Sequence, residues 1–331
     1  MWRERMPWMA LLMLLGVLAL APWWAAQQPF VLHMLVTACV LVVPAVGLNL
    51  MLGHGGLVSL GHMGFAGIGA YVAAVLMVDA RWSYGGAVWA AMLAAGAAGG
   101  LISLLCFRFR GHFFMIVTLA FGLMLHAVMN NWDSVTRGAA GFAGIPRPTP
   151  VRWGDEVWSF GPLPHFYALA LAMAVIAFAL QYLVVNSNFG RSLAAIRQDE
   201  RLARSRGVNT LLYKTAVFAI GTALAGMGGV LQGSFLRVAA PASFTMLESI
   251  NMVLIVIIGG AGSLVGPALG ALLYVALPEL LRLSNEWRLV IFGVMLVLIT
   301  LFAPKGLAGL CAHAWRRVWP PQSQTPAGAK P

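Results

Sequence analysis

Two residues able to hydrogen-bond, Ser59 and His62, lie three positions apart in the glycine-rich stretch GLVSLGHMGFAGIGAY at 56–71. On a helix this spacing places both side chains on one face. A hydroxyl and an imidazole can each bind a neighbouring helix or a polar solute, and both roles require that the group faces the interior of a helix bundle. The pair therefore predicts either helix–helix bonding or a translocation path, and the sequence leaves both open.

Further residues in apolar surroundings present the same choice. The amides of Asn49 and Asn251 offer donors and acceptors, whereas Thr118 can bond the backbone of its own helix. Phe65 is typical of packing between helices, although it lies on the same stretch as Ser59. The candidate path residues are Asn49, Ser59, His62, Phe65, Thr118 and Asn251.

The glycines predict close helix contacts or broken helices. Small residues let helix backbones approach each other in lipid, where the hydrophobic drive between helices is absent. Glycine also tolerates a break at membrane depth if protein or water satisfies the backbone. We expect such breaks near 56–70 and near 259–267, where the sequence reads GGAGSLVGP. The candidate packing or hinge residues are Gly61, Gly64, Gly67, Gly69, Gly259, Gly260 and Gly262.

The composition indicates the environment of these residues. Of the 331 residues, 60% are hydrophobic and only 9% are charged, whereas soluble domains carry about a quarter charged residues. Long continuous apolar runs exclude an outer-membrane barrel, in which apolar and polar residues alternate. The sequence therefore predicts an all-α polytopic membrane protein.

About ten segments are long and apolar enough to be membrane helices. They lie at about 8–24, 30–52, 57–78, 86–107, 113–131, 165–185 and 215–236, then as two shorter helices within 246–281, and last at 288–303. Most basic residues fall on one side of this arrangement, which predicts that the N-terminus and the C-terminus are both inside.

This arrangement divides the chain into a transmembrane domain, 1–310, and a cytoplasmic tail, 311–331, which we expect to be disordered because it has little to bury. A cleaved signal peptide is an alternative for the first 26 residues, but Trp23 and Trp24 favour a retained helix that ends in the membrane interface.

Two long loops remain outside the predicted membrane: an outer loop at 132–164 and an inner loop at 186–214. The inner loop is strongly basic and is predicted to be helical from about 191 to 206, with Gly207 as a left-handed cap. Its arginines at helical spacing would lie along one side. Such a helix either holds the loop near anionic lipid or docks on a cytoplasmic protein.

Five blocks, in order along the chain, resemble permeases of the high-affinity branched-chain amino acid ABC importers. They are GLNLMLGHGGLVSLGHMGFAGIGAYVAA (47–74), RGHFFMIVTLAFG (110–122), GAAGFAGIPRP (138–148), GGAGSLVGPALGA (259–271) and LFAPKGLAG (301–309). The block at 110–122 is closer to the second permease subunit. Urea and short-chain amide importers share these blocks, so the resemblance does not identify the solute.

The resemblance implies a set of partners: a sister permease subunit in a heterodimer, two cytoplasmic ATPase subunits and a periplasmic solute-binding protein. RSLAAIRQDERLARSRGVNTLLYK at 191–214 resembles the segment that couples such permeases to their ATPases. We therefore call 186–214 the coupling loop. The residues expected to couple are Arg191, Arg197, Arg201, Ala203, Arg204 and Gly207.

The sequence contains no G-x-x-x-x-G-K-[ST] phosphate loop, no catalytic constellation in its spans and no paired cysteines. We expect no enzyme activity, no cofactor, no metal and no nucleic-acid partner, with ATP hydrolysis carried out by partner subunits. The predicted function is that of a permease subunit of a binding-protein-dependent importer in the bacterial inner membrane. The alternative is a self-sufficient secondary transporter or channel. Such carriers generally need carboxylates in the membrane, whereas Glu248 and Glu279 lie near predicted outer edges.

Overall fold

A computed structural model describes residues 28–106, 112–153 and 156–281, together with Gly16, scattered residues between 287 and 298, residues 306–310 and His313. The predicted span at 8–24 and the predicted tail at 311–331 lie almost wholly outside the described residues, and most of the predicted span at 288–303 does as well. The count of about ten spans and the orientation of the termini stay predictions.

The described part of the chain is predominantly helical. Its helices are α1 (Pro29–Asn49, continued by a π-helical turn Leu50–His54), α2 (His62–Ala74, continued by a π-helical turn Val75–Asp79), α3 (Tyr84–Cys106), α4 (His112–Asn131), α5 (Asp133–Thr136), α6 (Leu163–Asn186), α7 (Asn188–Gln198), α8 (Glu200–Ser205), α9 (Thr210–Leu236), α10 (Met246–Gly259) and α11 (Gly266–Leu281). Every predicted segment between 30 and 281 coincides with a helix.

Six of these helices are long and apolar enough to cross a membrane: α1, α2, α3, α4, α6 and α9, with α10 and α11 as shorter apolar helices. The core is built around α1, α2 and α9. In the most apolar 18-residue stretch of α9, 72% of the residues are buried. In the corresponding stretch of α4 only 17% are buried, so one side of α4 is uncovered. The chain is therefore a multi-pass membrane protein by the length and composition of its helices.

Small residues allow the central helices to pack backbone against backbone. A Cβ built on Gly47 of α1 would lie 2.4 Å from the carbonyl oxygen of Gly221 in α9. A Cβ on Gly69 of α2 would lie 2.3 Å from the carbonyl oxygen of Gly226 in the same helix. These approaches are the kind that glycine permits between membrane helices.

The first helix break is shorter than the sequence predicts. It covers only residues 55–61, and α2 runs unbroken from His62 through the rest of the predicted 56–70 region. The reason is that side chains of other helices satisfy the free backbone donors at this point. The Thr118 hydroxyl accepts from the Leu60 amide at 3.3 Å, and the Ser249 hydroxyl accepts from the Met63 amide at 3.1 Å. Helix formation therefore resumes at once.

The second break confirms the predicted glycine turn between two short helices. α10 ends at Gly259 and α11 begins at Gly266. Gly260 and Gly262 have φ angles of 114° and 81°, a region that side chains other than glycine rarely adopt.

The coupling loop contains two helices, α7 and α8, and the prediction of one helix over 191–206 is wrong. The side chain of Asp199 interrupts it by accepting from the backbone amides of Arg201 at 2.8 Å and Leu202 at 3.0 Å, which is an N-cap for α8. The predicted left-handed cap at Gly207 is confirmed, with φ 82°. The Val208 amide donates to the Ala203 carbonyl at 3.1 Å and closes the helix end.

The outer loop contains most of the strand structure of the described residues. β1 (Phe142–Ala143) pairs antiparallel with β4 (Val238–Ala239), and β2 (Val151–Trp153) pairs antiparallel with β3 (Glu156–Trp158). The first of these ribbons ties the outer loop to the end of α9. The strands are short and do not change the helical class of the protein.

Candidate functional site

Candidate path residues of α2 and the preceding break lie in the packed interior. The side chains of Ser59, His62 and Phe65 have no solvent-exposed area. His62 contacts α1 through the Pro44 carbonyl, and Phe65 packs on Phe218 of α9. The backbone amides of the neighbouring residues 60 and 63 bond side chains of α4 and α10. This polar stretch of the sequence therefore lies at the centre of the helix bundle.

His62 is bonded on one side of its ring only. Its Nε2 lies 2.9 Å from the carbonyl oxygen of Pro44 in α1. Its Nδ1 and the hydroxyl of Ser59 have no hydrogen-bond partner among the residues that the structure describes. An unsatisfied polar group in the membrane interior costs several kcal/mol, so this edge of α2 is polar beyond what helix packing requires.

The hydroxyl of Thr118 is engaged in the backbone of the bundle. It donates to the Met115 carbonyl at 2.9 Å on its own helix and accepts from Leu60 of the break. Asn251 is almost fully buried, and its Nδ2 lies 3.4 Å from Oε2 of Glu248.

Phe65 belongs to an aromatic cluster that fills the core. Its ring is edge-on to that of Phe218 at 5.8 Å, and Phe218 meets Phe114 in the same way at 5.7 Å. Such pairs stabilise a core by about 0.5–1.5 kcal/mol beyond the area that they bury.

Asn49 reaches a different part of the molecule from His62. Its Nδ2 donates to the Ser263 carbonyl at 2.8 Å, and its Oδ1 accepts from the Gly262 amide at 2.8 Å. The side chain therefore joins the end of α1 to the turn between α10 and α11, and it brings the two predicted helix breaks together.

The glycines of α2 differ in how closely they are approached. A Cβ on Gly61 would lie 2.2 Å from the Thr118 carbonyl oxygen. The corresponding neighbour of Gly67 is the flexible end of Met129, and that of Gly64 is the Cδ1 of Leu125 at 3.1 Å. The closest backbone contacts of this stretch therefore lie at Gly61 and Gly69, whereas the nearest atoms to Gly64 and Gly67 belong to side chains.

Glycines of the second break are equally confined. A Cβ on Gly259 would lie 2.0 Å from the carbonyl oxygen of Gly266, because the end of α10 and the start of α11 are in backbone contact. Gly306, in the short helical segment 306–310, approaches Gly260 to a similar extent. The turn is packed from several sides.

The arginines of the coupling loop do not share one outer face as predicted. Arg191 bonds the side chain of Asn188 in its own helix, and Arg201 is exposed. Arg197 turns toward the membrane helices, where its guanidinium bonds the Gly53 carbonyl at the end of α1. The Asp199 cap explains the difference, because it breaks the helical register between Arg197 and Arg201.

A charge cluster fastens α8 to the start of α9. Glu200 accepts from Lys214 Nζ at 2.6 Å and from Arg204 Nη2 at 2.6 Å, and the hydroxyl of Thr210 donates to it at 3.1 Å. Partial burial raises the pKa of Glu200. The hydrogen bond and positive charge of Lys214, the hydrogen bond of Thr210 and the positive charge of Arg204 together outweigh burial and lower the pKa overall. Ala203, on the same helix, is buried.

Gln181 is a candidate that the sequence reasoning missed. Its side chain is fully buried in α6, and neither amide atom has a hydrogen-bond partner among the described residues. It is the lone amide of the apolar run at 165–185, so the rule that selected Asn49 would also have selected it. Gly122 was likewise visible in the block LAFG, but its contact with Gly61 could not be read from the sequence.

Two shallow surface grooves among the described residues do not include the candidate path residues. One groove of about 440 Å³ is lined by Arg204 and residues 207–211, and another of about 420 Å³ lies along the C-terminal end of α4. Within the described residues, no group of three or more His, Cys, Asp and Glu side chains is placed to hold a metal ion. Ser59 and His62 are closed off from these grooves in this conformation.

Comparisons with known proteins place this architecture in a family. The family model described as branched-chain amino acid transport system / permease component matches residues 30–300. No solved structure matches the chain.

Individual relatives agree with that match. The chain is 33% identical over 288 residues to the high-affinity branched-chain amino acid transport system permease protein LivM of Escherichia coli (strain K12), which covers 80% of this chain and 67% of the relative. It is 26% identical over 284 residues to the permease protein LivH of Salmonella typhimurium, and 27% identical over 284 residues to the permease protein BraD of Pseudomonas aeruginosa, each covering 80% of this chain and 90% of the relative. The chain therefore belongs to the family of branched-chain amino acid transport permeases.

Proposed function

We propose that this chain is one permease subunit of a binding-protein-dependent ABC importer in the bacterial inner membrane. It passes branched-chain amino acids, or a similar small polar solute, across the membrane. It pairs with a sister permease, receives solute from a periplasmic binding protein and is energised by two separate ATPase subunits that contact the coupling loop. The resemblance of both LivM and LivH to this chain supports the pairing with a second permease.

The observation that carries the proposal is the mixed apolar and basic surface of α7 and α8. Leu193, Ile196 and Ala203 are buried and anchor the two helices on the membrane domain. Leu202 is 53% exposed beside the exposed Arg201. A leucine presented next to a cation outside the membrane spans fits a groove on a protein partner better than it fits water.

The incompletely bonded side chains of Ser59 and His62 support a solute path at the start of α2. A branched-chain amino acid carries a charged ammonium and a charged carboxylate on an apolar body. Ser59 and the Nδ1 of His62, which have no partner among the described residues, offer hydrogen bonds to the polar part, and Phe65 follows His62 three residues later on α2. We assign Ser59 and His62 to the path and leave the glycines with helix packing.

The partners can be tested by ATP hydrolysis. The chain is co-expressed with a candidate sister permease, ATPase and binding protein, and the purified complex is assayed with the binding protein empty or loaded with leucine. We expect loaded binding protein to stimulate hydrolysis and Leu202→Asp to abolish co-purification of the ATPase. A complex that assembles equally well with Leu202→Asp would remove the coupling loop from the interface.

A further inference from the structure

Residues from three distant parts of the chain meet at one point beside the end of α1. They are Asn49 at the end of the α-helical part of α1, Gly53 in its π-helical turn, Arg197 of α7, and Gly262 and Ser263 of the turn between α10 and α11. We refer to these five residues as the polar latch. It lies apart from Ser59 and His62 and links the coupling loop to the end of α1 and to the second helix break.

The side chain of Asn49 binds the backbone of the α10–α11 turn. The two 2.8 Å bonds to Gly262 and Ser263 use both ends of the amide, and the side chain is fully buried. A buried amide with both ends bonded holds its partners in one geometry, because a displacement of the turn would leave this buried amide unpaired.

Gly53 and Gly262 bring the two backbones into direct contact. A Cβ on Gly53 would lie 2.2 Å from the Gly262 amide nitrogen, and a Cβ on Gly262 would lie 2.9 Å from the Gly53 carbonyl oxygen. The last carbonyls of a helix lack partners within the helix. The Gly53 carbonyl is one of these, since α1 ends in its π-helical turn at His54.

Arg197 supplies the missing donor from the coupling loop. Its guanidinium bonds the Gly53 carbonyl, and its Cγ would lie 3.4 Å from a Cβ on Gly56. The same guanidinium carries Nη1 3.4 Å from the Cβ position of Gly262. One arginine of α7 thus bonds the end of α1 and lies close to both helix breaks, and its charge is held at the negative end of a helix dipole.

We propose that the polar latch holds the α10–α11 turn against the end of α1 in the resting state, and that movement of α7 opens it by drawing Arg197 away from Gly53. Arg197 is then a positioning residue that transmits the motion of the ATPase to the membrane helices, and it does not itself contact the ATPase. This inference rests on the proposed function, since it requires that the coupling loop moves with a partner.

The first test compares coupling in matched variants of the reconstituted complex. Arg197→Ala removes the contact with Gly53, Arg197→Lys retains a charged donor, and Gln198→Ala alters the adjacent exposed residue of the same helix. We expect Arg197→Ala to hydrolyse ATP near the wild-type rate while solute uptake per ATP falls at least about tenfold, because a hydrogen bond to a charged group is lost. Arg197→Lys recovers part of the coupling, and Gln198→Ala behaves as the wild type.

The second test measures the motion itself. Spin labels are placed on exposed residues of α7 and of the turn, at Ala195→Cys and Ala261→Cys. In the wild-type complex we expect the distance between the labels to change when the ATPase is trapped with ATP and vanadate, and in Arg197→Ala we expect the turn to lose this response. A thermal melt of each purified variant shows whether it is folded.

The outcomes separate this inference from the proposed function. If the wild type takes up solute without any ATPase, the proposed function fails. If uptake depends on the ATPase but folded Arg197→Ala couples normally, the latch is refuted and the proposed function stands. An unchanged label distance in the trapped wild-type complex also refutes the latch.

Discussion

Replacing Gly61 by alanine would place a Cβ 2.2 Å from the carbonyl oxygen of Thr118, closer than such atoms approach in proteins. The neighbour is backbone of α4, so α2 and α4 must move apart. Overpacking of this kind costs about 1–3 kcal/mol. The shift also strains the bond from the Leu60 amide to the Thr118 hydroxyl, whose net contribution is about 0.5–1.5 kcal/mol. We expect these two terms together to lower the free energy of unfolding by about 1.5–4.5 kcal/mol.

Gly64→Ala is the matched control, one helical turn away. Its Cβ would lie 3.1 Å from Cδ1 of Leu125, the end of a flexible side chain that can give way. Alanine also favours a helix interior over glycine by about 0.5–1 kcal/mol, so this variant should be near neutral or slightly more stable. The assay is unfolding of the purified protein in detergent with added denaturant, followed by tryptophan fluorescence. Equal stability of the Gly61 and Gly64 variants would refute the packing argument.

The remaining predictions concern the path and the coupling loop. Ser59→Ala and His62→Ala should express normally but reduce or alter solute uptake. Hydrogen bonds between membrane helices contribute only about 0.6 kcal/mol on average, so residues that merely pack would be nearly silent; unchanged uptake in both variants would return them to packing. Leu202→Asp should leave membrane insertion intact and abolish ATPase stimulation by loaded binding protein, with insertion followed by membrane fractionation. Glu200 has a lowered pKa, so its stabilisation of the link to α9 is present above its unfolded pKa and is lost as the pH falls through the folded value, below its ordinary 4.5. Limited proteolysis should therefore cut the coupling loop faster in acid in the wild type, and equally fast at neutral and acid pH in Glu200→Gln.

The membrane class and the helices between 30 and 281 were predictable because long apolar runs have few other uses. The glycine turn at 259–267 was predictable for a similar reason, since glycine clusters interrupt an apolar run that is too long for one helix. The direction of Arg197 was not predicted, because a single helix over 191–206 was assumed. Asp199 followed by a helical pattern is an N-cap signal that would have divided that helix.

The candidate site depends on contacts that one sequence does not display. Asn49 and Gly262 are 213 residues apart along the chain, and the local sequence of neither segment predicts that they interact. The approach of Gly61 to Thr118 also joins separate segments of the chain, so the spacing of glycines could not rank Gly61 above Gly64. Gln181, by contrast, was readable as a lone amide in an apolar run and was overlooked.

Uptake by proteoliposomes tests the central claim most directly. Vesicles containing this chain, its sister permease and the ATPase are loaded with ATP, and radiolabelled leucine is added outside with the binding protein. The account predicts accumulation of leucine against its gradient, and no uptake when the ATPase subunits are omitted or ATP is replaced by a non-hydrolysable analogue. Robust uptake by vesicles that contain this chain alone would contradict it and would identify a self-sufficient carrier or channel.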